Sequence, residues 1–500
     1  MIHHSPYPPI VLTNESITER VLRGLGPDPD RVVLIDGPSG AAMTAGALES
    51  GIRRLAGGLV AQGIGKGDVV AILAPNCPDY AVVFHAVAFA GATVTTINPT
   101  YTAPEVAHQL KDAGARLLVT IPAFLEVAQA AFAGEIVVIG AASLEALMRE
   151  PLATQVPVDA SADVVVLPYS SGTTGLPKGV RLTHRNLVAN VEQCLLVIGC
   201  NPGEWSVGFL PFFHIYGQTV LMNMHLAAGA GVVTMPRFDL EQFLTLAAKH
   251  RTLTLYSAPP VAVALAKHPM VDGFDLAHVE RFFSGAAPLG GDLGDAVAAR
   301  LGCLSVQGYG MTEMSPVSHA TPRGQARKGS VGVTLPSTEC RIVVDGQDVG
   351  VGVPGELWVR GPQVMAGYHN RPEATAETLV DGWLRTGDLA EVDAEGWVFI
   401  RDRLKELIKV KGFQVAPAEV EAALLTCPMV KDAAVKGVPD NEAGEVPVAF
   451  VVPAEGAEEG AIRAHLAGQL AYYKLPTRIS FVEAIPKSAS GKILRRMLPV

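Results

Sequence analysis

From Val32 to about Ser284, short β-branched apolar runs alternate with longer stretches of amphipathic or Ala-rich character: VVLID, VVAILAP, ATVTTI, RLLVTI, EIVVIG, DVVVLPYS, GVVTMP, TLTLYSA and RFFSGA. Apolar runs of this length read as buried strands, and their alternation with helical patterns predicts βαβ units in mostly parallel sheets. After Gly329 the texture changes. Short strands punctuated by glycine, CRIVVDG, GELWVRG and GWVFIRDR, predict a small antiparallel, barrel-like unit as a third, distinct piece of the same large lobe. Beyond Arg403 the pattern predicts a helix over 417–425, strands over 430–437 and 446–452, a helix over 460–470 and a strand over 479–482. The expected architecture is therefore α/β: a large lobe, residues 1–402, followed by a small α+β domain, residues 403–500.

Composition narrows the class. With 500 residues, 49% of them apolar, the chain has material for its cores without disulfides or metal. Charged residues are only 18% and mean hydropathy is +0.29. Even so, no run nears the roughly 20 consecutive apolar residues that span a bilayer, so no membrane insertion is expected. Thirty-nine Lys and Arg against 49 Asp and Glu leave a net charge of −10, which argues against a nucleic-acid partner. The cysteines at 77, 194, 200, 303, 340 and 427 form no C-x-x-C pair and no zinc spacing, and read as small buried hydrophobes. MIHHSPYPPIVLTNES lacks the pattern of a secretory signal and MLPV is not a peroxisomal address, so a reducing cytoplasm is the expected home.

The strongest chemical signal is Ser170-Ser171-Gly172-Thr173-Thr174-Gly175-Leu176-Pro177-Lys178-Gly179, directly after DVVVLPYS. Hydroxyls and glycines at this density let backbone N–H groups and Oγ atoms converge on phosphate oxygens, and Lys178 adds a mobile positive charge. It is not a Walker A loop. Pro177 stands where the second glycine would be, and Gly179 follows the lysine. A second run, GVGVPG at 350–355, matches G-x-G-x-x-G letter for letter, but it follows the turn Asp345-Gly346 and leads into ELWVRG. A dinucleotide fingerprint must open a helix, so a nicotinamide or flavin site is set aside.

Six further segments follow in order: PFFHIYG at 211–217, SGAAPL at 284–289, QGYGMTE at 307–313, TGD at 386–388, RDRLKELIKVKG at 401–412 and PKSASGKILRR at 486–496. With the loop at 170–179 they resemble the adenylate-forming superfamily of acyl-CoA synthetases, luciferase-like enzymes and peptide-synthetase adenylation domains, over essentially the whole chain. The resemblance implies that Ser170, Ser171, Gly172, Thr173, Thr174, Gly175 and Lys178 grip the phosphates of ATP. Thr312 would contact the α-phosphate, and Glu313 with Thr174 would hold Mg²⁺, a hard cation that takes oxygen ligands. Adenine would lie against Tyr309, beside the backbone of Gly285, Ala286 and Ala287 and of Gln307, Gly308, Gly310 and Met311. Asp388 would accept from both ribose hydroxyls, with Arg403 as a second ribose contact. Lys492 would be the catalytic lysine, its ammonium offsetting charge that develops between the substrate carboxylate and the α-phosphate.

Two half-reactions are implied: carboxylate plus ATP giving acyl-AMP and pyrophosphate, then thiol attack giving a thioester and AMP. The small domain would turn about a hinge at Lys405 between them, withdrawing Lys492 and bringing in another face. On that face Lys409 matches a lysine important for thioester formation, and Lys411 and Gly412 lie where coenzyme A is contacted.

Within the superfamily the resemblance is closest to the 4-coumarate–CoA ligase group, which implies a 4-coumarate- or cinnamate-type acid. His214 would act at the reacting centre and gate a pocket lined by Tyr216, Ser284, Gly308, Pro316 and Val317. Two departures from the plant pattern stand out. Cys-bearing GEICIRG is here GELWVRG, expected to matter only structurally, and Ser318 replaces a leucine, expected to change pocket volume. A medium- or long-chain fatty acyl-CoA ligase, a ligase loading a separate carrier protein, a luciferase-like oxygenase and a non-catalytic acyl- or nucleotide-binding protein are the alternatives. With Val500 eight residues past Lys492, no carrier domain is expected in cis, so coenzyme A is the expected acceptor; a monomer or homodimer is expected.

Overall fold

The computed structural model describes residues 1–170, 177–411, 413–440, 442–489 and 491–499. All nine apolar runs between Val32 and Ser284 form strands. Five of them build a sheet in the order Val164–Ser170, Thr93–Thr96, Val69–Leu73, Ala115–Thr120, Glu135–Val138, with every pair parallel. Helix Pro78–Phe89, flanking this sheet, is buried on all sides except at Asp79. Its sequence is correspondingly apolar all round rather than striped. Among the described residues, no helix is long and apolar enough to cross a membrane.

Strands Thr254–Ser257, Arg281–Ser284 and Leu304–Gly310 form a second parallel set. The antiparallel strands expected after Gly329 are present, and they continue this set in one sheet. Leu304–Gly310 pairs antiparallel with Val317–Ala320, and hydrogen bonding continues through Gly332–Thr334, Trp397–Arg403, Trp383–Val392, Gly355–Arg360 and Glu339–Val344 in one sheet. Gly350–Gly355 joins two strands and opens no helix.

The small α+β domain has its own core, including Val420, Leu424, Val435, Val451, Ile462 and Leu466. Its strands fall where the pattern placed them, at Val430–Asp440, Gly444–Pro453 and Arg478–Phe481. The second helix is shorter than expected: it runs Glu459–Ala467 and ends at Gly468. A hairpin, Ile408–Val410 with Phe413–Val415, lies inside the basic run RDRLKELIKVKG. It has too few residues for a visible alternation.

Helix Pro417–Thr426 starts at a proline in the first helical turn, after Ala416, which offers no capping side chain. Its missing acceptor comes from a distance: Asp402 Oδ2 accepts the Ala418 N–H at 2.9 Å.

Candidate active site

A cavity of about 580 Å³ opens where the carboxyl ends of Thr93–Thr96, Val164–Ser170 and Arg281–Ser284 meet the turn after Leu304–Gly310. In α/β sheets this is where loops leave the strands and polar groups can converge. Ser488, Ala489 and Lys492 of the small domain close one side.

The nucleotide candidates gather on one wall. Tyr309 OH donates to Asp388 Oδ2 at 2.5 Å, and Arg403 Nε lies 3.6 Å from Asp388 Oδ1. The two strands carrying Asp388 and Arg403 are paired at those residues, so the sheet itself sets their spacing. Asp388 is buried, and that burial raises its pKa while the Arg403 charge opposes the rise. Gly308 and Gly310 let neighbouring groups pack tightly against the strand Leu304–Gly310. A Cβ at 308 would come within 2.8 Å of the Phe283 ring, and one at 310 within 2.1 Å of the Pro316 carbonyl oxygen.

A second cluster centres on Glu313. Glu313 is buried, and its Oε1 accepts from Ser170 Oγ and from Tyr368 OH, both at 2.9 Å. Lys178 stands 5.1 Å from the centroid of the Tyr368 ring. Ser170 and Lys178 are partners in an antiparallel pair, so the hydroxyl-rich segment joins two strands, Val164–Ser170 and Lys178–Thr183, and not a strand to a helix. The site candidates Ser171, Gly172, Thr173, Thr174 and Gly175 lie outside the described residues, as does Gly412. Among the described residues, no group of three His, Cys, Asp or Glu side chains could hold a metal ion unaided. A magnesium ion fits nevertheless, since it binds through one or two carboxylates together with substrate phosphates.

Lys492 lines the same cavity. Burial, reinforced by the Arg403 charge, lowers its pKa to about 8 against the opposing pull of Glu406 and Asp388. Its turn is tied at both ends: Ser488 N–H donates to the Lys492 carbonyl at 2.8 Å and Lys492 N–H to Ser488 Oγ at 3.1 Å. His214 also faces the cavity, and burial, then the Lys492 charge, lowers its pKa to about 4, so it is a neutral imidazole. Its Nδ1 accepts the Tyr216 N–H at 3.2 Å.

Gly285, Ala286, Met311, Thr312, Pro316, Val317, Tyr216 and Lys405 line the cavity as well. Ala287, Ser284 and Gln307 do not. Gln307 is turned into the fold, its side chain holding the Leu289 N–H and carbonyl. Lys409 and Lys411 are exposed and lie apart from the cavity, on the hairpin of the small domain. Ser318 is also outside: alternation along Val317–Ala320 turns it away, and it bonds His319 Nδ1 at 2.9 Å. The expected effect of Ser318 on pocket volume therefore has no direct contact behind it.

Tyr368, Glu356 and Thr386 line the cavity and were not singled out from sequence. Glu356, in the segment expected to matter only structurally, accepts from Gly387 N–H at 3.2 Å and Trp358 Nε1 at 2.8 Å, bracing the Asp388 turn. The glutamate of GELWVRG, two residues before a tryptophan, was the available signal; Tyr368 offered none.

A family model described as AMP-binding enzyme matches residues 25–369, and one described as AMP-binding enzyme C-terminal domain matches residues 419–492. The chain belongs to the AMP-binding enzyme family. A rice relative (Oryza sativa subsp. japonica), 4-coumarate–CoA ligase 3, is 45% identical over 94% of this chain and 89% of its own. Among solved structures, the anthranilate–CoA ligase AuaEII in complex with anthranoyl-AMP superposes with a TM-score of 0.91 at 26% identity, covering 97% of this chain and 96% of that one. ATP-bound MatB from Rhodopseudomonas palustris has a TM-score of 0.88 at 30% identity, covering 97% and 99%. This AMP-binding enzyme thus has a large domain of several mixed sheets and a small α+β domain, as those folds do.

Proposed function

We propose that this AMP-forming acid–thiol ligase joins a 4-coumarate- or cinnamate-type acid to coenzyme A in two half-reactions through an acyl-adenylate. The observation that carries the reading is the convergence of Lys492, His214, Glu313, Asp388 and Tyr309 on one cavity, in a chain 45% identical to a 4-coumarate–CoA ligase. Asp388 and Arg403 take the ribose and Tyr309 the adenine face. Thr312, Ser170 and Lys178 face the phosphates, and Glu313 holds the magnesium ion, which when bound offsets phosphate charge. Lys492, charged below pH about 8, neutralises the charge that builds as the carboxylate attacks the α-phosphorus and pyrophosphate departs. The neutral His214 imidazole sits at the acid's carboxylate end, and an aromatic ring would lie beside Gly308 and Phe283, both of which line the cavity.

The thioester step draws on the other face of the small domain. Lys409 and Lys411 lie on that face, and bringing them to the cavity requires the domain, residues 403–500, to turn about Lys405. The six free cysteines suit a reducing cytoplasm.

The test is coenzyme A-dependent AMP release with Mg-ATP, comparing 4-coumarate, cinnamate, benzoate, octanoate and palmitate. The expected result is the highest kcat/KM with 4-coumarate or cinnamate. Preference for octanoate or palmitate would replace the aromatic reading with a fatty acyl one, and adenylation without use of coenzyme A would point to a carrier protein.

A further inference from the structure

Helix Pro417–Thr426 of the small domain is held at both ends by residues that do not line the cavity. At its start Asp402, on the last strand of the large domain, accepts the Ala418 N–H at 2.9 Å. At its end Lys267, the last residue of helix Pro259–Lys267, donates to the Leu425 carbonyl at 2.8 Å and the Val430 carbonyl at 3.0 Å. An anion at the amino end and a cation at the carboxyl end both match the helix dipole. Desolvation at these contacts raises the Asp402 pKa and lowers that of Lys267.

Two further contacts connect this grip to Lys492. Glu421, on the gripped helix, accepts from Arg495 NH2 at 3.0 Å, three residues beyond Lys492. The Lys492 turn itself rests on the amino end of the helix that carries Lys267: a Cβ at Gly491 would lie 3.2 Å from Ala258 Cβ and from Pro260. One rigid helix, about 13 Å long at 1.5 Å per residue, therefore touches the Lys492 turn at one end and anchors the small domain at the other. At Gly290 the large domain comes close enough that an added Cβ would be 3.0 Å from Ala422 Cβ of the gripped helix.

We propose that Lys267 and Asp402 are positioning residues that dock the small domain in the orientation delivering Lys492 to the cavity, and so serve the adenylation half-reaction alone. This rests on the two-step reading above. Neither residue touches the reacting atoms, and both contacts must release whenever the small domain turns.

The test separates the half-reactions in Lys267→Met, Lys267→Arg and Asp402→Ala proteins: ATP–pyrophosphate exchange with 4-coumarate, and thioester formation from supplied 4-coumaroyl-adenylate without ATP. Losing a charge-assisted bond should lower pyrophosphate exchange about tenfold in Lys267→Met. Thioester formation should be unchanged or faster, and Lys267→Arg, which can still donate to both carbonyls, should recover the first activity. Amide hydrogen exchange on the same apo proteins gives a readout independent of turnover. Peptides covering 416–426 and 486–494 should exchange faster in Lys267→Met, while Val430–Asp440 and Gly444–Pro453 keep their protection, reporting a folded but undocked domain. Equal losses in both half-reactions, or no change in exchange at 416–426, would overturn the proposal. If the wild-type protein adenylates none of the acids, the functional reading falls, and the exchange pattern alone then decides whether Lys267 docks the domain.

Discussion

The small domain presents lysines from two hairpin-like turns, and their surroundings are opposite. Lys492 sits in a turn closed by Ser488 and by the Lys487–Ile493 bridge, inside the cavity, where burial and Arg403 lower its pKa to about 8. Lys409 and Lys411 project from the Ile408–Val410 hairpin into solvent, with Lys409 N–H bonded to Glu445. A lysine partly stripped of water beside another cation is costly unless an anion arrives to pair with it, which suits a group awaiting triphosphate. Exposed lysines bear no such cost, and suit a face that meets its ligand only transiently. One domain thus carries two electrostatic tools of different design.

The comparison is broken most sharply by Lys492→Ala. Pyrophosphate exchange should fall by about a thousandfold, while thioester formation from supplied acyl-adenylate should change little; comparable losses in both would make the two turns equivalent. A pH profile is the next largest effect. With protonated Lys492 as the proposed working form, adenylation kcat/KM should fall as pH rises through about 8, toward tenfold per unit well above it. The second half-reaction should lack that limb. Lys409→Ala should show the converse of the first variant, about a tenfold loss confined to thioester formation. Smallest is Gly308→Ala, whose Cβ would press the Phe283 ring. It should raise KM for 4-coumarate more than for octanoate and cost about 1–3 kcal/mol in thermal unfolding.

Much of this was legible in the chain. Nine strands announced themselves because a parallel sheet covered on both faces favours unbroken β-branched runs. Trp205–Gly208 and Phe413–Val415 did not, since WSVG and FQV each hold a single β-branched residue and no continuous apolar run. Lys492, Asp388 and Glu313 stood in segments with glycine and hydroxyl residues, and His214 in the aromatic run PFFHIYG. Tyr368 stood in none, and is placed against Glu313 by the pairing of Gly367–Tyr368 with Lys178–Thr183 and by the Met365 N–H on the Glu313 carbonyl. Ser318 and Val317 looked equally relevant, yet strand alternation sends one into the fold and the other into the cavity.

The local pattern of residues was enough to determine the class of fold, the two-lobed layout and most of the segments that meet at the cavity, because strand burial and glycine- and hydroxyl-rich loops both impose composition on short contiguous segments. The tertiary structure decided what lies between segments. Glu313 met Ser170 across 143 residues of chain, Lys267 found the end of a helix 158 residues away, and Gln307 turned inward to Leu289. Such contacts depend on sheet register and on how one lobe docks against the other, and loop closure over that length leaves no periodic trace in the residues that take part.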